Sequence, residues 1–155
     1  MPKHLYIENR HLCRIFSGSL PDLFCPFRVP KAVATTLTSN ARRASKVPYP
    51  NAYASAAEAA ASPAKARFNC AQRAHANFTE NHATFLVNLL VAGLRFPNVS
   101  AFLGATWVVG RLVYTFGYVR EGREDGSGRL EGVWWWLPHL ALMGMAVVAA
   151  AGEVC

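Results

Sequence analysis

Charged residues are few: 16% of the 155, against about 25% in a typical soluble domain, while 52% are hydrophobic. So apolar a composition excludes a disordered chain over most of the length and points to lipid as part of the solvent. Acids are scarcer than bases, nine against sixteen, for a net charge of +7. Cysteine is also sparse: Cys13, Cys25, Cys70 and Cys155 are scattered, with no C-x-x-C pair and no histidine at zinc spacing. A disulfide framework and a structural zinc site are therefore not expected. A secretory signal pattern is lacking too, and residues 1–45 hold no apolar run of the ~18 residues that a membrane span requires.

The charge sits unevenly. Residues 1–46 carry most of the excess: Lys3, Arg10, Arg14, Arg28, Lys31, Arg42, Arg43 and Lys46 face only Glu8 and Asp22. No aromatic-basic interleaving accompanies them, so a nucleic-acid partner is not expected. Pro21, Pro26 and Pro30 divide the one greasy stretch here into short pieces. The segment faintly resembles a transit peptide, but the reading adopted is an atypical basic N-terminus, disordered over residues 1–45. Residues 46–67 read as a linker: Pro48 and Pro50 enforce an extended entry, an alanine-rich piece has some helical tendency, and Pro63 ends it.

From Phe68 the pattern changes to an all-α, membrane-embedded bundle occupying residues 68–155. Residues 68–96 lack proline and have no glycine before Gly93, so a helix of ~43 Å can run there at 1.5 Å per residue. Its second half is almost wholly apolar; Pro97-Asn98 turns the chain. Residues 99–119 form a second span with one charge, Arg111, and a glycine-rich polar loop, expected to be exposed, follows from Arg120 to Arg129. A third helix covers 130–152, uncharged from Val133 to Gly152, with Trp134, Trp135 and Trp136 as an interfacial belt and Pro138 as a kink. Three spans are thus read. Arg42, Arg43, Lys46, Lys65, Arg67, Arg73, Arg120, Arg123 and Arg129 fall on one side of the bilayer and Arg95 alone on the other. The positive-inside rule makes the basic side cytosolic and leaves Cys155 across the membrane.

On the first long helix, Arg73, Asn77, Glu80, Thr84 and Asn88 recur at steps of three and four, and so share one face. Arg111, Tyr114 and Tyr118 do the same on the second. Counted back from the turn at ~1.5 Å per residue, Glu80 and Tyr114 lie at ~24 and ~22 Å, and Asn77 and Tyr118 both at ~28 Å. Ionisable side chains at membrane depth are expensive. Two readings stay open: the charges glue helices together, or cation, amide, carboxylate and phenols converge on a small zwitterionic peptide. Arginine suits a carboxylate because its fork binds bidentately. His75, Glu80 and His82 scatter round the helix, so no metal is expected. Asn77-Phe-Thr79 and Asn98-Val-Ser100 are read as chance glycosylation patterns, Cys70 as a packed helix residue, and His139 as a core histidine.

The run F-N-C-A-Q-R-A-H-A-N-F-T-E-N from Phe68 to Asn81 resembles the signature of the membrane-associated proteins in eicosanoid and glutathione metabolism. A-R-R-A-S-K-V-P-Y-P before it and W-V-V-G-R-L-V-Y-T-F-G-Y after it fit the same family, so the likeness covers roughly residues 41–152. The resemblance implies a homotrimer of four-helix subunits in the endoplasmic reticulum or outer nuclear membrane, or alternatively the mitochondrial outer membrane, binding glutathione at subunit interfaces. It also implies conjugation of glutathione to lipophilic electrophiles or reduction of lipid hydroperoxides; some relatives make leukotriene C4. By position, Arg73, Asn77, Glu80, Tyr114 and Tyr118 match the family's glutathione contacts, and Arg111 belongs to the same motif. His75 matches a contact made from the neighbouring subunit, with a packed interface histidine as the equal alternative. Arg129 is the expected thiolate-stabilising arginine, with Arg123 and Arg120 as rivals. The departure is the first helix: residues 20–41 stand where the family has a span, so that helix is read as missing or replaced. Truncation, or an inactive relative acting as an assembly or interaction protein, is the alternative this leaves.

Overall fold

The computed structural model describes residues 20–152, and among them helices and connecting turns account for the chain, with no strand. Helix α1 is Leu20–Ser45, α2 Ala56–Ala61, α3 Pro63–Arg95, α4 Pro97–Tyr118 and α5 Trp136–Gly152; a 3-10 segment, Ser127–Trp135, leads into α5. Helix α3 is the hub, packing against α1, α4 and α5. The all-α bundle is as expected. The readings made for residues 1–19 and for Cys155 lie outside the described residues.

The first helix is a correction. Where disorder was expected, α1 runs continuously through Pro21, Pro26 and Pro30, although it is not among the helices long and apolar enough to cross a bilayer. Pro21 falls in the first turn, where no intrahelical acceptor awaits its absent N–H. The two later prolines each delete one backbone bond, and packing on α3 outweighs that local loss. Pro30 and Ala34 are buried, and one turn further on Thr38 donates its hydroxyl to the Ala71 carbonyl of α3 at 3.0 Å. The bundle therefore has four long rods rather than three.

The expected linker is partly helical. Ser55 and Glu58 form a reciprocal capping box that starts α2, and Pro63 occupies the first turn of α3 instead of ending a segment. Among the described residues, Pro97–Tyr118 and Ser127–Gly152 are long and apolar enough to cross a bilayer. Helix α3, read as a further span, has the length at 33 residues but is interrupted by Glu80, Asn81, His82 and Asn88, which lower its mean hydropathy.

The loop after α4 is not wholly exposed. Its end winds into the 3-10 segment, which lies against α4 through glycines. Gly117 meets the backbone of Gly128, and Gly132 meets the backbone of Tyr114; any Cβ at these points would collide with main-chain atoms. At three residues per turn the tryptophan trio splits: Trp135 is 1% exposed and packs inward, whereas Trp136 is 43% exposed. Trp135 is thus no belt residue. Pro138 stands in the first turn of α5, where it fits without a kink.

The core joins Phe78, Phe85 and Leu89 of α3, Trp107 and Tyr114 of α4, Trp135, and Leu142 of α5. Phe85 stacks on Trp107 at 3.7 Å between centroids, and Trp135 meets Trp107 edge-on. Gly132→Ala should cost about 1–3 kcal/mol or more through overpacking, because backbone, not a flexible side chain, must yield. Gly144→Ala, which meets nothing within 4 Å, should leave stability unchanged or slightly raised. Thermal denaturation of both variants in detergent micelles separates the two outcomes.

Candidate functional site

The polar stripes of α3 and α4 meet through Asn77 and Arg111, and the 3-10 segment lies along α4. Arg73 and Glu80 lie two turns apart on α3 and pair at 3.4 Å, each about half exposed. Between them Asn77 turns towards α4, where its Oδ1 accepts a 2.8 Å bond from Nη1 of Arg111. Depth counting had matched Asn77 with Tyr118. The actual partner lies two turns nearer the hairpin, and the long arginine side chain covers the offset.

Arg111 is wholly buried. Its guanidinium carbon lies 4.4 Å from the Trp135 ring centroid, 5.1 Å from Tyr114, 5.2 Å from Phe78 and 5.6 Å from Trp107. Aromatic faces attract a cation, and this box supplies four of them. No carboxylate pairs with Arg111 among the described residues, and its Nε and Nη2 have no hydrogen-bond partner there. It is therefore set behind the site, sealed from a ligand, instead of lining it with its helix-mates.

Tyr114 and Tyr118 follow on the same face of α4, their rings edge-on at 5.5 Å. Arg129 projects from the 3-10 segment with its guanidinium 5.5 Å from the Tyr118 ring, and donates to the Gly126 carbonyl at 3.0 Å. The rival arginines are engaged elsewhere: Arg120 and Arg123 each bind Glu131 at 3.0 Å. The loop is moored to α3 by Arg67, which holds Glu121 at 2.8 Å, and by the Cys70 thiol, which donates to the Glu124 carbonyl at 3.2 Å. Outside the membrane-spanning rods, the Asp125 carboxyl is held below its usual range by hydrogen bonds from Ser127, which fixes the turn into the segment.

His75 is not part of this constellation within one chain. It points to the other flank of α3, where Nε2 lies 3.3 Å from the Thr35 hydroxyl and helps to line a polar groove of about 230 Å³ with Thr38, Arg42, Tyr49 and Gln72. His82 stacks on Phe78, so His75, Glu80 and His82 diverge; no group of three metal-ligating side chains occurs among the described residues. Buried His139 touches Trp135 and Trp136.

A model of the MAPEG family matches residues 31–151, spanning the second half of α1 through α5. The chain belongs to the MAPEG family. MAPEG proteins are membrane helical bundles, and many are glutathione-dependent enzymes, transferases and peroxidases among them. The match includes part of α1, the other three rods and every residue of the constellation just described.

Sequence reasoning missed two contributors. Trp135 reads as an interfacial tryptophan but is the nearest ring to the buried cation. Gly126 and Gly128 read as parts of an exposed loop and Gly132 as part of the third helix, but they set the approach of the 3-10 segment to α4; their seven-residue spread opposite Gly110 and Gly117 was the available signal. Buried and hydrogen-bonded, Cys70 should resist alkylation by N-ethylmaleimide in the folded protein and react once it is denatured, as read by peptide mass mapping. Rapid labelling of native protein would contradict that packing.

Proposed function

We propose that this MAPEG protein is an integral-membrane glutathione transferase or glutathione peroxidase acting on lipophilic substrates, with Arg129 holding the glutathione sulfur as its thiolate. The observation that carries this reading is the placement of Arg129: among the described residues it is the loop arginine with no carboxylate partner, and it stands over Tyr118 on α4, the helix whose Arg111 bonds Asn77 of α3. A tripeptide with two carboxylates and an ammonium group finds matching partners there: guanidinium for carboxylate, and Glu80 for the ammonium. Arg111 supports that set from behind through Asn77.

The chemistry requires a cation near sulfur. A free thiol ionises at ~8.5 and only the thiolate is a good nucleophile. Lowering that value by about two units takes ~2.7 kcal/mol of selective stabilisation, within reach of a positioned guanidinium at a partly dry site. The thiol proton leaves to solvent. In conjugation the sulfur lone pair forms a bond to the electrophilic carbon, and the leaving group departs with its electron pair. In peroxide reduction the thiolate attacks the terminal oxygen, the O–O bond breaks, and the alkoxide takes a proton to give an alcohol and a glutathione sulfenic acid. A second glutathione thiol then displaces water and forms the disulfide. No protein residue acts as nucleophile.

Glutathione is thus a co-substrate, and a metal has no role. The half-exposed Arg73–Glu80 pair supports a homotrimer in which a second copy covers the stripe, bringing its own His75 flank to the bound tripeptide. Within the family, the runs at 41–50, 68–81 and 107–118 resemble microsomal glutathione transferase type 3. We take the membrane to be that of the endoplasmic reticulum or outer nuclear envelope, with basic loops towards the cytosol.

Retention on immobilised glutathione and conjugation of a chlorinated nitroaromatic test this reading. Arg129→Ala should lower kcat/KM by about 10²-fold, while Arg120→Ala and Arg123→Ala, whose partner is Glu131, should stay within about threefold of the parent. Failure of the parent protein to retain glutathione at millimolar concentration would sink the proposal.

A further inference from the structure

Arg111 is the least accommodated charge among the described residues: wholly buried, without a carboxylate, and bonded through one nitrogen to one side-chain acceptor. That bond carries directional information. An arginine has five N–H donors and no acceptor, so the Asn77 atom facing it at 2.8 Å must be the amide oxygen. The four surrounding rings leave the guanidinium no room to swing. Turning the amide over would set N–H against N–H and strip a buried cation of its bond, which is more costly than losing a neutral one. The amide nitrogen has no partner among the described residues and belongs to a half-buried side chain between Arg73 and Glu80.

We propose that Arg111 is a positioning residue that locks the Asn77 amide in one orientation, oxygen inward and nitrogen outward, so that the site presents an N–H donor to a carbonyl or carboxylate oxygen of the bound thiol peptide. The inference rests on the glutathione reading above and adds a sign to it: at this point the site reads an acceptor. An unlocked amide offers either edge to the ligand, and that selectivity is lost.

Asn77→Asp separates this role from simple bracing. The aspartate keeps an oxygen for Arg111 and neutralises its charge, so the melting temperature in detergent should hold or rise. Its second oxygen, facing outward, replaces a donor by an acceptor of negative charge, so KM for glutathione should increase at least tenfold, with a smaller effect on kcat. Arg111→Met should raise KM by about three- to tenfold while leaving the fold intact, since an apolar side chain of similar length is tolerated where a buried ion stood. Arg111→Lys, which retains a donor and the charge, should recover part of that loss. In Arg111→Met the further change Asn77→Asp should cost less than it does in the parent, because there the amide is no longer held. Glutathione titration of the parent by calorimetry comes first: no binding overturns the site reading and this inference together. Binding by the parent with unchanged KM in Asn77→Asp overturns the lock alone. If Asn77→Asp does not fold, equal KM values in Arg111→Met and the parent overturn it.

Discussion

A guanidinium sealed inside a bundle of membrane helices is the constraint round which the rest of this protein is arranged. Moving a charge from water to a low-dielectric interior costs several kcal/mol even after relaxation, and Arg111 has no carboxylate among the described residues to offset that. Aromatic faces and one amide oxygen take its place. The demand propagates outward: Trp135 must turn inward, which needs the 3-10 path before α5, and Asn77 must turn its oxygen to α4. The residues that settle the cation are the same ones that join the two stripes.

The second determinant is close backbone approach. The 3-10 segment reaches α4 because glycines meet there without side chains between them. Arg129 lies within that approach, so its height over Tyr118 follows from main-chain contact, and Arg67 and Cys70 anchor the preceding loop to α3. A site built this way depends on rigid contacts more than on the conformational preferences of a flexible loop. The pairing of Arg120 and Arg123 with Glu131 then leaves Arg129 as the loop cation directed at the Tyr118 ring.

Helix α3 presents two different polar flanks. One carries the Arg73–Asn77–Glu80 face towards α4; the other carries His75 and Gln72 against α1, beside the stacked Arg42 and Tyr49. The first helix is essential to this second flank, and it forms in spite of three prolines. Local propensity counts against it by a few kcal/mol, whereas burial of Pro30 and Ala34 and the bond from Thr38 act over its length.

Periodicity by itself determined the bundle class and the α3–α4 hairpin, because a repeat of three and four residues specifies a helix face whatever packs on it. The run from Phe68 to Asn81 likewise determined the family. What a linear reading could not contain was direction across space. That Arg111 looks into the core while Arg73 looks out, that His75 and Asn77 serve opposite flanks, and that Arg129 alone among three loop arginines stays unpaired are outcomes of tertiary contact. Sequence spacing gives angles about one helix axis, but which neighbour fills each angle, and which cation finds a carboxylate first, is decided only when the rods meet.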